Sequence, residues 1–236
     1  MSFAHFATSG GDVPPLETRG GGAGASLWDA RAEAYRESDA HREGEDLDLI
    51  VVWAVEGKSA LDVATGGGHV ARRLREAGLH VVSCDPARGM KPDVICRAEE
   101  LPFEDASFDV VVSRVAAHHF EDPDAAVKEM ARVSRDRVLV SDNLYMGEAV
   151  EGAERIRDAS HVRNYSEAEW RGRLEAAGLE IEEVRTLSHP ILLEPWLART
   201  GCEGEDAVRV RELVAERVEG ERIQLDRIAI KARKRR

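Results

Sequence analysis

The stretch Ala60-Leu61-Asp62-Val63-Ala64-Thr65-Gly66-Gly67-Gly68-His69-Val70-Ala71 decides the fold. Its first five residues read as a buried strand, apolar except for Asp62. Three consecutive glycines permit a tight turn and let a ligand approach the backbone closely. His69 to Ala77 reads as a helix stopped by Gly78. The first N–H groups of that helix have no intrahelical partner and suit a polar or negative group. A second strand, His80 to Asp85, ends on a carboxylate. A strand, turn, helix and strand in this order build a parallel pair, whose ligands sit beyond the carboxyl ends of the strands.

The same alternation continues downstream. Val94-Ile95-Cys96 is a short third strand, and Phe108 to Val115 a fourth. Val110-Val111-Val112 is continuously apolar, as expected when both sheet faces are covered. Asp122 and Pro123 open a helix carrying Ala126, Val127, Met130, Ala131 and Val133. Arg137 to Ser141 is a fifth strand. Ser166 and Glu169 form a capping box for a helix that ends at Gly178. Strands near Leu179–Leu187 and Arg222–Ile230 close the chain, with a helical insert between them. Upstream, Ser26 is placed to cap a helix through Trp28, Ala32 and Tyr35, and a second helix covers Glu45 to Val55. Residues 1–25, with Gly10-Gly11, Pro14-Pro15 and Gly20-Gly21-Gly22, read as a flexible leader. Residues 26–236 form a single domain: lid helices over 26–57, a cofactor-binding half over 58–143, and a substrate-side insert with closing strands over 144–236. The fold class is α/β, with helices on both faces of a mostly parallel sheet.

Composition narrows the function. The 236 residues carry 33 Lys and Arg against 45 Asp and Glu, a net charge of −12. Such an acidic balance lacks the basic face that nucleic-acid phosphates require. The run Lys231-Ala232-Arg233-Lys234-Arg235-Arg236 is the exception and reads as a solvated tail. Cys84, Cys96 and Cys202 are too few and scattered for a disulfide framework or a zinc site, so no metal is expected and the first two read as buried small hydrophobes. No apolar run approaches a membrane span and no signal peptide is visible, which suits a cytoplasmic setting.

The turn after the first strand also selects the cofactor. A dinucleotide site calls for G-x-G-x-x-G; here Ala64-x-Gly66-x-Gly68 is followed by His69-Val70, with no third glycine in register. Asp62 would repel a pyrophosphate but suits a cationic amino group. Asp85 can accept bonds from ribose hydroxyls. Together these features favour a ligand with an ammonium group and a ribose, such as S-adenosylmethionine.

Leu61 to Ala71 resembles motif I of class I S-adenosylmethionine-dependent methyltransferases. Ala98-Glu99-Glu100-Leu101-Pro102-Phe103 with Phe108-Asp109-Val110-Val111 is similar to their adenine-side loop and fourth strand. Arg114 to Phe120 and Glu129 to Val133 resemble the methyltransferase-11 branch related to ubiquinone and menaquinone methyltransferases, as do Tyr35-x-x-Ser38-x-x-His41-x-x-Gly44 and Asp158 to Arg163. The resemblance implies a Rossmann-like doubly wound sheet of about seven strands with the last antiparallel, under N-terminal lid helices. It implies that Asp62 and the backbone of Ala64, Thr65, Gly66 and Gly68 hold the amino-acid end of the cofactor. Asp85 then takes the ribose, Pro86 lies under the adenine, Ala98 and Glu99 read its edge, and Arg114 and Val115 lie near the methionine carboxylate or sulfonium.

Three departures stand out. Only Pro86 to Asp93 separate the second and third strands, where the family places a full helix. Arg97 replaces the acidic residue that usually contacts the adenine amine, and an Arg cannot accept that bond. A Pro-Gly-Gly turn is missing before the fifth strand. Methyl transfer from a sulfonium mainly needs alignment and exclusion of water, plus a base when the acceptor must lose a proton. Candidate bases are His118, His119 and His161, with Asp142 and Tyr165. His118 and His119 point apart if the backbone is extended, and His161 with Tyr165 has helical spacing. The leading function is methyl transfer to a small-molecule acceptor by in-line substitution. A cofactor-binding protein with lost catalysis is the second reading, and a nicotinamide-dependent oxidoreductase the third. The expected partners are a small-molecule acceptor and no nucleic acid or membrane, with a homodimer left open.

Overall fold

A computed structural model describes residues 16–17, 23–36 and 42–235. In chain order the elements are β1 (Leu16–Glu17), α1 (Ala23–Arg36), α2 (Glu45–Ala54), β2 (Ser59–Val63), α3 (His69–Glu76), β3 (His80–Asp85), β4 (Val94–Ile95) and β5 (Phe108–Arg114). Then follow α4 (Pro123–Val133), β6 (Ser134–Asn143), α5 (Glu148–Arg157), α6 (Glu167–Ala176), β7 (Leu179–Leu192), α7 (Leu193–Ala198), α8 (Gly204–Leu213), β8 (Val218–Glu219) and β9 (Arg222–Lys234).

The sheet order is β1-β4-β3-β2-β5-β6-β9-β7, with the short β8 paired to β9. Strands β1 to β6 pair in parallel, whereas β9 runs antiparallel to both β6 and β7. The last strand is thus the antiparallel one, inserted beside the β7 edge. The chain builds outward from β2 in one direction and resumes at β5 in the other. The carboxyl ends of β2 and β5 therefore meet at the point where strand order reverses, the place where such sheets bind ligands.

Alternate residues along the central strands face opposite layers. Leu61, Val63, Val111, Val138, Val140 and Ile230 pack with Met130 of α4 and with Trp170 and Leu174 of α6. Ala60, Val110, Val112, Leu139 and Ala229 pack on Leu47, Ile50 and Trp53 of α2 and on Val70 and Leu74 of α3. The insert has its own core, with Trp196, Val210, Val150 and Ile223. All three cysteines are buried and free. Asp122 caps α4 by accepting from the Ala125 N–H at 2.9 Å, and Ser166 and Glu169 form the expected capping box. Among the described residues no helix is long and apolar enough to cross a membrane.

Several expectations are corrected. Ser26 lies inside α1, not at its cap: the helix begins at Ala23, because the alanines around it favour helix. Within the stretch read as a leader, β1 and the first residues of α1 are described, and the rest lies outside the described residues. The basic run is no tail, since Lys231 to Lys234 complete β9, with Lys231 and Arg233 paired to Glu182. Helix α5 gave no signal in the sequence. The segment holding His161 and Tyr165 is a loop with a bridge to Leu144, not a helix. Helix α4 passes straight into β6, so the missing Pro-Gly-Gly turn shortens a loop and no more.

The short β3–β4 crossover is a loop with one 3-10 turn over Arg88–Met90. Its exposed side is covered by α1. Ala87 and Met90 pack against Trp28, Ala32 and Tyr35, and Asp29 Oδ1 accepts from the Gly89 N–H at 2.6 Å. Arg36 donates to the Gly89 carbonyl. A helix from the N-terminal segment thus occupies the layer position where a crossover helix is expected.

Candidate active site

A cavity of about 320 Å³ opens beyond the carboxyl ends of β2, β3 and β5. Its floor is the turn from Ala64 to Gly67, flanked by Asp62, Asp85 and Pro86. Ala64 (φ 54°), Gly66 (φ 50°) and Gly68 (φ 75°) all adopt left-handed backbone. A Cβ on Gly66 or Gly68 would meet nothing within 4 Å. Asp62 is buried, and its Oδ2 accepts from Thr65 Oγ1 at 2.5 Å and from the Ala71 N–H at 3.0 Å. This carboxylate thus ties the turn to α3. Asp85 Oδ2 accepts from the Gly66 N–H at 3.0 Å and Oδ1 from the Ala87 N–H at 2.9 Å. Burial pushes both carboxyl groups up to about 6.

Across the turn stands Val115, at the end of β5, with φ 52°. A left-handed conformation is costly for a β-branched residue, and such strain gathers at functional sites. Its N–H donates to the Ser141 carbonyl at 2.7 Å, which fixes it. Ala98, Glu99 and Arg97 form another wall. Glu99 Oε1 accepts from the Glu121 N–H at 3.1 Å, and Arg97 is paired with both Glu99 and Glu121.

Helix α1 is the roof. Trp28 and Tyr35 line the cavity. His69 Nε2–H donates to the Tyr35 carbonyl at 3.1 Å, and Arg31 pairs with Asp158 at 2.8 Å. Gly67 makes this approach possible, because a Cβ there would lie 2.6 Å from the Tyr35 carbonyl oxygen. His41 and Ser38, also expected near the lid, lie outside the described residues.

The three candidate histidines cluster together, and of all the candidate bases only His119 lines the cavity. His118 and His119 do not point apart: they sit in a 3-10 turn, Ala117–His119, with ring centroids 4.0 Å apart. His119 Nδ1–H donates to the Ser160 carbonyl at 3.0 Å, which leaves the lone pair of the neutral ring on Nε2. Its ring meets Trp28 edge-on at 4.7 Å. Burial and the neighbouring His118 hold its pKa well below the ordinary value, so it is neutral. His118 is buried behind it; burial opposes its charge, but Asp142, at 2.5 Å from Nδ1, raises its pKa. His161 is buried against Glu151 at 2.9 Å. Tyr165 packs in the core under Arg173, and neither it nor Asp142 lines the cavity.

Arg114 lines the cavity but its guanidinium is engaged. Nε donates to Asp46 Oδ2 at 2.6 Å and Nη2 to Oδ1 at 3.0 Å. Arg227 and Ser141 reach the same carboxylate, each at 3.2 Å. Burial opposes the Asp46 charge, but the two arginines hold its carboxyl well below the usual range. Sequence reading missed Asp46. Its signal was a carboxylate on the apolar face of α2, in register with Ile50, Trp53 and Ala54.

Residues 61–140 match the Methyltransf_11 family model, described as a methyltransferase domain. The chain is 32% identical over 198 residues to the uncharacterized methyltransferase YcgJ of Bacillus subtilis, covering 74% of this chain and 78% of that protein. A demethylmenaquinone methyltransferase of Renibacterium salmoninarum is 37% identical over 99 residues, 38% of this chain and 42% of that protein. The crystal structure of the YcgJ protein superposes with a TM-score of 0.72 at 27% identity, covering 81% of this chain and 98% of that chain.

Proposed function

Because the chain belongs to the S-adenosylmethionine-dependent methyltransferases of the Methyltransf_11 type, we propose that it moves a methyl group to a small-molecule acceptor by in-line substitution, with His119 as the base. The observation that supports this most is the junction of the glycine turn and Asp85 under α1. The open space over Gly66 and Gly68 lets a ligand lie against the backbone. Each Asp85 oxygen accepts only one N–H bond, so lone pairs remain for the two ribose hydroxyls. The cavity volume falls in the range of small-molecule sites. S-Adenosylmethionine, when bound, supplies an electrophilic methyl group on a sulfonium.

The residues of the chain do the rest. Asp62 and Asp85 hold the turn and set a negative floor that favours a cationic ligand. Pro86, Ala98 and Glu99 receive the adenine. Trp28 and Tyr35 close the roof and exclude water. His119 Nε2 takes the acceptor's proton, while Ser160 fixes its tautomer through Nδ1. His118 and His161 act behind it as packing.

Calorimetric titration with S-adenosylmethionine and S-adenosylhomocysteine tests the reading, on the wild type and on Asp85→Ala. We expect wild-type binding that weakens by about 100-fold in the variant, as for two lost charge-assisted hydrogen bonds. No binding by the folded wild type would overturn the proposal.

A further inference from the structure

Three aromatic rings that line the cavity meet one another at Trp28. The Trp28 ring lies 5.4 Å from that of Tyr35 at 82° and 4.7 Å from that of His119 at 73°. Rings so steeply inclined do not stack, so Tyr35 and His119 adjoin Trp28 as the walls of a box. All three residues are only half-buried. Trp28 already holds one cation, since the Arg31 guanidinium lies 5.7 Å from its ring centroid. A cation within about 6 Å of a centroid is drawn to the negative face of the ring, most strongly on Trp. Asp158 neutralises Arg31 at 2.8 Å, so Arg31 does not keep a second cation away.

The charges of the cavity favour a cation too. Its two arginines are engaged, Arg97 with Glu99 and Glu121 and Arg114 with Asp46. Burial holds the pKa values of His69 and His119 below the ordinary one, so neither ring is charged at neutral pH. Asp62 and Asp85, in contrast, accept only from neutral N–H and hydroxyl groups among the described residues. The cavity thus combines two carboxylates that have no cation of their own with a box of aromatic rings.

The amino group of the cofactor answers one of those charges, and its sulfonium is a second cation. The sulfur joins the ribose, assigned to Asp85, to the amino-acid end, assigned to the turn from Ala64 to Gly68. Helix α1 roofs both places. Trp28 packs with Ala87 and Met90, just after Asp85, and the Tyr35 carbonyl meets His69 beside Gly67. Resting on the methyltransferase reading above, we propose that Trp28, with Tyr35 and His119 beside it, recognises the sulfonium and makes the site prefer S-adenosylmethionine to its thioether product. In the transfer, the acceptor's lone pair forms the new bond to the methyl carbon and the electron pair of the C–S bond returns to sulfur. The sulfur is then neutral, its attraction to the rings ends, and S-adenosylhomocysteine leaves more readily. Trp28 is a specificity-determining residue for cofactor over product.

The test is calorimetric titration of the full chain with S-adenosylmethionine and S-adenosylhomocysteine, on the wild type, Trp28→Phe and Trp28→Leu. Trp28→Leu should weaken S-adenosylmethionine binding by about 3- to 30-fold more than S-adenosylhomocysteine binding. Trp28→Phe keeps a ring and should fall between the two. Looser packing of α1 alone would weaken both ligands by the same factor, so the ratio separates recognition from structure. NMR of S-adenosylmethionine with an isotope-labelled methyl group is the second readout. The bound methyl resonance should lie upfield of the free one through the ring currents of the box. An unchanged ratio in Trp28→Leu would overturn the proposal and assign Trp28 to the packing of α1. A bound methyl resonance without the upfield shift would overturn it as well, and that measurement needs no variant to fold. Failure of the methyltransferase reading is distinct: neither ligand would bind the folded wild type, and the proposal would fall with it.

Discussion

Replacing Gly67 with alanine should release α1 from the cavity while leaving the sheet intact. A Cβ at this position would lie 2.6 Å from the Tyr35 carbonyl oxygen, 2.7 Å from His69 Nε2 and 3.1 Å from Arg36 Cα. Two of those atoms belong to the backbone of α1, so the helix itself must retreat. The retreat breaks the bond from His69 to the Tyr35 carbonyl, worth about 1 kcal/mol. It also loosens the contacts of Trp28, Ala32 and Tyr35 on Ala87 and Met90, and overpacking of this kind costs about 1–3 kcal/mol in total. If the ligand needs the docked helix, S-adenosylhomocysteine affinity falls by about 5- to 150-fold. Gly68→Ala is the control: at φ 75° with open space around a Cβ it carries left-handed strain of about 1 kcal/mol but no collision. Hydrogen exchange over residues 23–36, read beside calorimetry, separates the two. Wild-type protection of α1 in Gly67→Ala, with affinity equal to that of Gly68→Ala, would refute the steric argument.

Three further outcomes are expected. His119→Gln should lower the transfer rate by about 100- to 10,000-fold while cofactor affinity stays within about threefold, measured with labelled S-adenosylmethionine. Because the folded-state pKa of His119 is depressed, the wild-type rate should hold through pH 6.5 and fall only well below it. Asp62 and Asp85 titrate at about 6 in the folded protein, above the ordinary 3.8, so the folded state binds more protons than the unfolded one between those values. Their contribution to stability therefore declines as pH rises from about 4 to about 6 and is level above that; the difference in urea midpoint between the wild type and Asp85→Asn should follow that curve. Arg97→Ala should change stability by less than about 1 kcal/mol in thermal unfolding, since its pairs with Glu99 and Glu121 are partly exposed.

The sequence was most legible where one local pattern set one local structure. The bounds of β3, the cap at Asp122 and the capping box at Ser166 follow from short-range rules, and the structure has all of them. The glycine turn was legible for the same reason. Reading failed where the deciding contact was distant. Asp46 meets Arg114, Ser141 and Arg227 across 68, 95 and 181 residues, and no spacing rule links them. The orientation of His118 and His119 was misjudged because a 3-10 turn, not an extended strand, carries them. Lys231 to Lys234 looked like a tail because charge outweighed pattern. In the sheet Ala232 faces the core between basic side chains that reach Glu182 and Ser134.

The short crossover and the lid are one feature. A parallel crossover without its helix leaves the apolar side of Ala87 and Met90 uncovered, and α1 supplies the cover. The same helix is bonded to the glycine turn's helix through His69 and to the segment after α5 through the Arg31–Asp158 pair. Asp158 accepts in turn from the Ser160 N–H and hydroxyl, and the Ser160 carbonyl orients His119. Displacing α1 therefore disturbs the Ala87–Met90 loop, the glycine turn and His119 together. If a bound cofactor stabilises the docked helix, it also stabilises the arrangement around Ser160 and His119, and an acceptor bound there must strengthen cofactor binding by the same factor. Cofactor and acceptor should accordingly bind with positive coupling, carried by a helix whose first duty in the fold is to cover a gap in the sheet's helical layer.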